Sequence, residues 1–446
     1  MKSSNYKKTF LKKQTFNKES SKYLLIVESP SKCAKIEGYL GLEYKCIASK
    51  GHLRHLDSYK NYNIIFKNIE EKETHITFMK SVIKQYDKDN IILATDDDRE
   101  GEAISWHICE IFNLPIETTK RITFNEITRS AIQNAVQHPK TINMKLVESQ
   151  QARQVLDVIV GYKISPFLWK YAYNNKDNSL SAGRCQTPAL RLIYDNHLKK
   201  LECSQEHKHK ITGWFFTKNI DFLLNKELDS EKEVIDFLKK SIKFDHKLNV
   251  SSPRVSNKSP PEPLNTSKLL QTSSSMLNIS PTDTMKLCQI LYQDGLITYM
   301  RTDSKKYSED FLKIVEKYIN EKHGEKYIGD LNKVMKKDNK DPHEAIRVTD
   351  IKLMSIKREP RINNLYKLIW TNTIESAMSD AVYNVIDCVI TAPDDYKYKN
   401  TIESPIFLGW KKIKSKEDET QIQNANNGLL MYLNTIEKQK TNVIYN

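Results

Sequence analysis

Two short apolar runs in this chain stop abruptly on carboxylates, and the pattern around them sets the rest of the reading. Asn90-Ile-Ile-Leu-Ala-Thr95 predicts a buried strand that ends in Asp96, Asp97 and Asp98, after which Ala103 to Phe112 predicts a helix. Two-residue alternation puts Asp96 and Asp98 on one face and Asp97 on the other. Tyr23-Leu-Leu-Ile-Val27 predicts a second buried strand, ending at Glu28, and Ser29-Pro30-Ser31 turns the chain into a helix starting near Lys32. Strand, acidic turn and helix is the layout of a ligand site at the carboxyl end of an α/β sheet. Carboxylates held side by side call for a cation, and oxygen-only ligands suit Mg²⁺. Glu28, Asp96 and Asp98 are therefore read as converging on one metal. Lys32, at a helix N-terminus, is read as reaching a phosphate beside it. The competing reading of the acidic run is a solvated turn; the third carboxylate and the strand context weigh against it.

Further along, Arg121 to Gln137 predicts a strand leading into a helix capped by Thr128, and Gln150 to Tyr162 an amphipathic helix with Arg153 and Asp157 on one face. That pair also fits a plain surface ion pair. His52, in the turn Ser49-Lys-Gly-His52, fits surface decoration as well as a site. Arg184 and Gln186 lie near the start of another helix and are placed to grip a phosphate. From about 205 to 260 the alternation becomes β-like, and Ser259-Pro-Pro-Glu-Pro263 marks a boundary. Ser280 and Pro281 then open a helix that runs to Gln293 and stops at Gly295. Next comes Leu296-Ile-Thr-Tyr299-Met-Arg301, read as a short strand with Tyr299 and Arg301 on one face. A strand Tyr is more often core, but a phenol beside a cation is also a nucleophile toward phosphate. His343 and Arg347 are read as four apart on one face of a helix. From Ile402 the β character returns, through Ile406-Phe-Leu-Gly-Trp410 to a strand-like Leu429 to Asn446.

Composition narrows the partners. At 446 residues the prior is about three domains. Seventy Lys and Arg against 56 Asp and Glu leave a net charge of +14. An acidic site in a basic protein points to a polyanion, nucleic acid ahead of an anionic membrane. No apolar run reaches the roughly 18 residues of a membrane span. Residues 1–22 read as a solvated, Lys-rich tail with no apolar leader. The seven Cys form no C-x-x-C pair, which argues against both a disulfide framework and a zinc ribbon and makes a reducing, cytoplasmic setting the default.

Taken together and in order, VESPSK (27–32), SKGHL (49–53), ATDDDREGEAISWH (94–107), FNEIT (124–128), QQAR…D…VGY (150–162), LSAGRCQTPALRL (180–192), GLITYMRTDS (295–304) and HEAIR (343–347) resemble type IA DNA topoisomerases. The match runs from about residue 23 to 446, and Met300 makes the bacterial topoisomerase I form the nearer one. The resemblance implies an α/β plus α plus β multidomain fold, an incomplete version of the family's ring. Its parts would be a Toprim α/β domain (23–150), the first part of a helical DNA-binding domain (151–205), a β-rich arch (206–275 and 400–446) and a helical domain carrying the nucleophile (276–399).

The same resemblance implies that Tyr299 attacks single-stranded DNA, forming a 5′-phosphotyrosine, and that the enzyme relaxes negatively supercoiled DNA without ATP. No G-x-x-x-x-G-K-[ST] loop occurs. Arg301 would stabilise charge on the phosphorus oxygens, Lys32 would do likewise or protonate the leaving oxygen, and Glu28, Asp96, Asp98 and Glu100 would hold Mg²⁺. His52, Arg121, Arg153, Asp157, Arg184, Gln186, His343 and Arg347 match positions that hold the DNA strand or support the site.

Two departures stand out. Gln154 occupies a position where bacterial members often carry Arg. The family's return segment, which completes the helical DNA-binding domain, is missing, so a second polypeptide supplying it is one expectation. A single-strand-binding relic that no longer cuts is an alternative, and another Toprim enzyme, a primase or nuclease, is a further one.

Overall fold

The structure, a computed structural model, describes residues 18, 21–60, 63–172, 180–202, 207–215, 220–336 and 343–415. The expected tail at 1–22, apart from residues 18, 21 and 22, and the strand-like stretch from Leu429 fall outside them. In chain order the elements are β1 (Tyr23–Val27), α1 (Pro30–Leu40), β2 (Tyr44–Ala48), β3 (Arg54–Lys60), β4 (Asn63–Asn68), α2 (Glu73–Ile83), β5 (Ile91–Ala94), α3 (Arg99–Phe112), β6 (Lys120–Arg121) and α4 (Arg129–Gln137). There follow α5 (Met144–Tyr171), α6 (Gln186–Glu202), β7 (Thr212–Gly213), β8 (Phe222–Leu224), α7 (Glu231–Ile242), β9 (Leu248–Val250) and β10 (Arg254–Lys258). The last are α8 (Thr266–Leu277), α9 (Pro281–Gln293), α10 (Glu309–His323), α11 (Pro360–Glu375), β11 (Ala381–Thr391) and β12 (Lys397–Phe407).

The chain forms two units, residues 1–191 with 285–300, and residues 192–284 with 301–446. The first is built on a four-stranded parallel sheet in the order β2-β1-β5-β6. Leu24, Ile26, Ile91 and Leu93 are fully or almost fully buried and pack with Met79, Val82, Ile104 and Ile108 from α2 and α3. The two central strands, β1 and β5, are neighbours and run the same way, so their carboxyl ends emerge side by side. That is where a parallel sheet gathers a ligand site.

The second unit holds a sheet in the order β10-β11-β12-β8-β7, with β9 on β11. β11 and β12 pair antiparallel from Val382↔Phe407 to Thr391↔Lys397. This corrects the expected boundary at residue 399, which cuts the hairpin in two. The alternation of Ala381, Tyr383 and Val385 as buried positions already carried the strand signal. Gly409–Ile413 is a 3₁₀ turn rather than a strand. The expected strand around Tyr299 is also absent: residues 298–304 form no strand, so the two-residue argument placing Tyr299 and Arg301 on one face does not hold. Nor is 343–347 helical.

Candidate active site

The site is built on the two strand ends of the first unit. Asp98 has extended backbone and caps α3, its Oδ1 accepting from the Gly101 N–H at 2.7 Å. Gly101 is required here, because a Cβ would lie 2.1 Å from the Asp96 carbonyl oxygen. Asp96 is buried and ion-paired with Lys32, itself fully buried, whose ammonium also lies 4.8 Å over the Tyr292 ring. Glu28 is pushed up to about 7, by burial first and then by the charge of Asp96, with Lys32 pulling the other way and Asp98 adding to the rise. Three carboxylates thus press on one another at the expected point.

Tyr299 is brought to this point by residues 285–300. Its backbone N–H donates to the Asn125 carbonyl at 2.7 Å, and its ring meets Tyr292 edge-on at 5.3 Å. Its hydroxyl donates to Oδ2 of Asp98. Ser31 of α1 donates to Gln293 at 2.9 Å, and Lys35 donates to the Asp294 carbonyl. Gly295, at φ 61°, makes the turn after α9; a Cβ there would sit 2.5 Å from the Ile127 carbonyl oxygen.

The remaining predicted residues divide. Glu100 turns to His52 Nε2 (3.2 Å) and Gln150 Nε2 (2.9 Å), and the His52 hydrogen bond is the first cause of its lowered pKa. Both bonds fall on its Oε2. Around it, His52 Nδ1, Gln150 Oε1 and Gln154 Oε1 are buried without a protein partner, a polar surface left for something else to satisfy. Gln150 was not singled out from the sequence, although its place in QQAR beside Arg153 was visible. Asp157 pairs not with Arg153 but with Arg184, two-pronged at 2.7 and 3.1 Å, so it orients that guanidinium. Gln186 donates to Ser181.

Arg121 and Arg347 are corrected. Arg121 is 1% exposed; it is clamped to Glu102 and donates to the Thr95 and Asp96 carbonyls at 3.2 and 3.0 Å. Arg347 is 4% exposed, paired with Glu344 at 3.0 and 2.8 Å and stacked over Phe311. Both guanidinium groups are engaged within the protein rather than presented at its surface. Arg301 and His343 belong to the second unit, where Arg301 is exposed and His343 half-buried.

Among the described residues, no group of three or more His, Cys, Asp or Glu stands gathered as a metal-holding cluster. Lys32 pairs with Asp96, while the Gly101 N–H and the Tyr299 hydroxyl donate to Asp98. Also among these residues, no helix is long and apolar enough to cross a membrane.

A parallel sheet with carboxylates at its central strand ends defines the class, and the Toprim domain family matches residues 23–127. A second family, described as DNA topoisomerase, matches residues 141–443, more than half the chain. The chain belongs to this DNA topoisomerase family, in its type IA branch. It is 36% identical over 430 residues to DNA topoisomerase 1 of Thermotoga maritima, covering 91% of this chain and 66% of that protein. The solved structure of full-length topoisomerase I from Thermotoga maritima superposes with a TM-score of 0.74 at 34% identity, covering 89% of this chain and 68% of that one. The chain thus spans just under two thirds of the length of its curated relative.

Proposed function

We propose that this chain cuts and rejoins single-stranded DNA through Tyr299, and so relaxes negatively supercoiled DNA in the cytoplasm without ATP. The observation that carries the reading is the Tyr299 hydroxyl, held against Asp98 at the mouth of the strands that deliver Glu28 and Asp96. The phenol attacks a backbone phosphorus. The new O–P bond forms to the 5′ side and the 3′ oxygen leaves, so the bond energy is retained in the phosphotyrosine and no nucleotide is consumed. Asp98 is the nearest acceptor for the phenolic proton. Lys32 steadies Asp96 and, in this reading, stabilises charge on the phosphate or protonates the leaving 3′ oxygen. Arg301 supplies charge for the phosphorus oxygens, and Arg153, Arg184, Gln186, His52 and His343 grip the strand.

Glu28, Asp96 and Asp98 fit Mg²⁺ as hard oxygen donors whose mutual repulsion a cation relieves. Bound there, the ion would supply charge neutralisation and orient the 3′ end for rejoining.

The test is a 3′-end-labelled single-stranded oligonucleotide incubated with the protein and stopped with denaturing detergent. Label migrating with the protein, and lost in Tyr299→Phe, is the expected result. Label on the protein in Tyr299→Phe would overturn the assignment of the nucleophile, and strand cutting without any adduct would favour another Toprim chemistry. DNA binding with neither cutting nor adduct would favour a binding relic.

A further inference from the structure

The turn that carries His52 has a shape that part of its own sequence resists. Lys50 and Gly51 stand one after the other in the left-handed region, at φ 60° and 85°. Glycine takes that conformation freely, whereas a lysine takes it where its surroundings impose it. The ends of the turn are pinned. The Ser49 N–H donates to the Val27 carbonyl at 2.9 Å, His75 donates to the Ala48 carbonyl at 2.8 Å, and the Ile69 N–H donates to the Leu53 carbonyl at 3.0 Å. The middle is held by one side chain. Lys72, half-buried immediately before α2, donates its ammonium to the Lys50 carbonyl at 2.9 Å and to the His52 carbonyl at 2.5 Å.

Those two carbonyls lie on either side of the Gly51–His52 peptide, so a single ammonium orients the backbone both into and out of His52. The His52 ring then meets Glu100 Oε2, the oxygen that also accepts from Gln150. His52 Nδ1, Gln150 Oε1 and Gln154 Oε1 are the buried atoms left without a protein partner around that point. Lys72 has three N–H donors and places two of them on main-chain oxygens. We infer that Lys72 is a positioning residue of the strand-binding site, making no contact with DNA itself and holding His52 where the strand meets it. The inference rests on the proposed function, which makes His52 a contact to the strand.

The test is a double-variant cycle on the 446-residue protein, reading affinity for oligothymidylate by fluorescence anisotropy. Lys72→Met should weaken binding about fivefold, and by less than about twofold when His52→Ala is already present. The slope of affinity against salt should be the same in Lys72→Met as in the unsubstituted protein. Amide hydrogen exchange across 49–53, measured on the protein alone, should quicken. Lys72 lies outside the buried core, so the thermal transition should hardly move; if Lys72→Met does not fold, the cycle is run with Lys72→Gln. Equal losses in the two backgrounds overturn the inference. So does a salt slope shallower by about one, which would make Lys72 a phosphate contact. Unchanged affinity or unchanged exchange in the folded variant overturns it as well. No binding by the unsubstituted protein defeats it together with the strand-gripping role of His52. Adduct formation at Tyr299 is measured separately. Its absence from the unsubstituted protein would defeat the enzymatic reading while leaving the cycle to stand on its own.

Discussion

Replacing Arg121 by Leu separates two roles that a single arginine can play. In this structure the guanidinium makes two contacts with Glu102, at 2.8 and 2.7 Å, and donates to the Thr95 and Asp96 carbonyls. Glu102 is 4% exposed, and its other oxygen accepts from the Asn143 N–H at 2.6 Å. Removing the cation strands a buried carboxylate, which costs about 3–5 kcal/mol. Out of a domain stability of about 5–15 kcal/mol that is a large share. At about 2–4 °C per kcal/mol for a unit of this size, the transition should fall by about 6–20 °C. The assay is thermal unfolding followed by circular dichroism, repeated on Arg121→Leu with Glu102→Leu. The double variant should recover part of the loss, since it removes both buried charges. DNA binding, measured as the slope of affinity against salt, should stay unchanged within the folded range. A loss under about 1 kcal/mol, with a shallower salt slope, would refute the reasoning and return Arg121 to the DNA surface.

The other predictions concern neighbouring groups. Gly101→Ala places a Cβ 2.1 Å from the Asp96 carbonyl oxygen, so overpacking of about 3 kcal/mol or more is expected, read as a lowered urea midpoint. His107 is buried and held down to about 3, by burial and then by the charges of Arg54 and His52. The unfolded chain binds a proton near pH 6.5 that the fold refuses. His107's share of the stability is thus complete above that pH and is lost as pH falls toward 3, by at most about 1.4 kcal/mol per pH unit. Chemical denaturation between pH 7 and 4 should show this slope, and His107→Phe should flatten it. Asp98→Asn keeps a cap for α3 but removes a carboxylate from beside Tyr299; single-strand affinity should hold while relaxation of a supercoiled plasmid drops at least tenfold.

Much of the first unit was legible because its buried strands are unbroken apolar runs that end on carboxylates, and because Thr128 and Ser280 are caps any sequence reader can find. What escaped depends on pairings across the chain. Nothing local distinguishes Arg121 from Arg153; the difference is Glu102, which the turn of α3 aims inward at Arg121. The stretch around Tyr299 has strand-forming residues, yet it follows a left-handed Gly295 and takes its hydrogen bond from the Asn125 carbonyl rather than from a ladder. Glu344 and Arg347 meet three residues apart without a helix, so spacing alone misled. That Lys32 pairs with Asp96 and the Tyr299 hydroxyl with Asp98 could not be foreseen from residue order.

The way Tyr299 is held has a genetic consequence. The segment bearing it rests on the main chain: the Asn125 carbonyl takes its N–H, the Asp294 carbonyl takes Lys35, and the Ile127 carbonyl leaves no room for a side chain at Gly295. Main-chain atoms are common to every residue. The address of the phenol is therefore written in atoms that substitution leaves in place, and an alanine scan would pass over Asn125 and Asp294 as bearings of the nucleophile. Insertion or deletion of a single residue between 124 and 128, or between 293 and 299, would shift those atoms out of register. At Asn125 and Asp294 the tolerance should be broad for replacements and close to nil for changes in length.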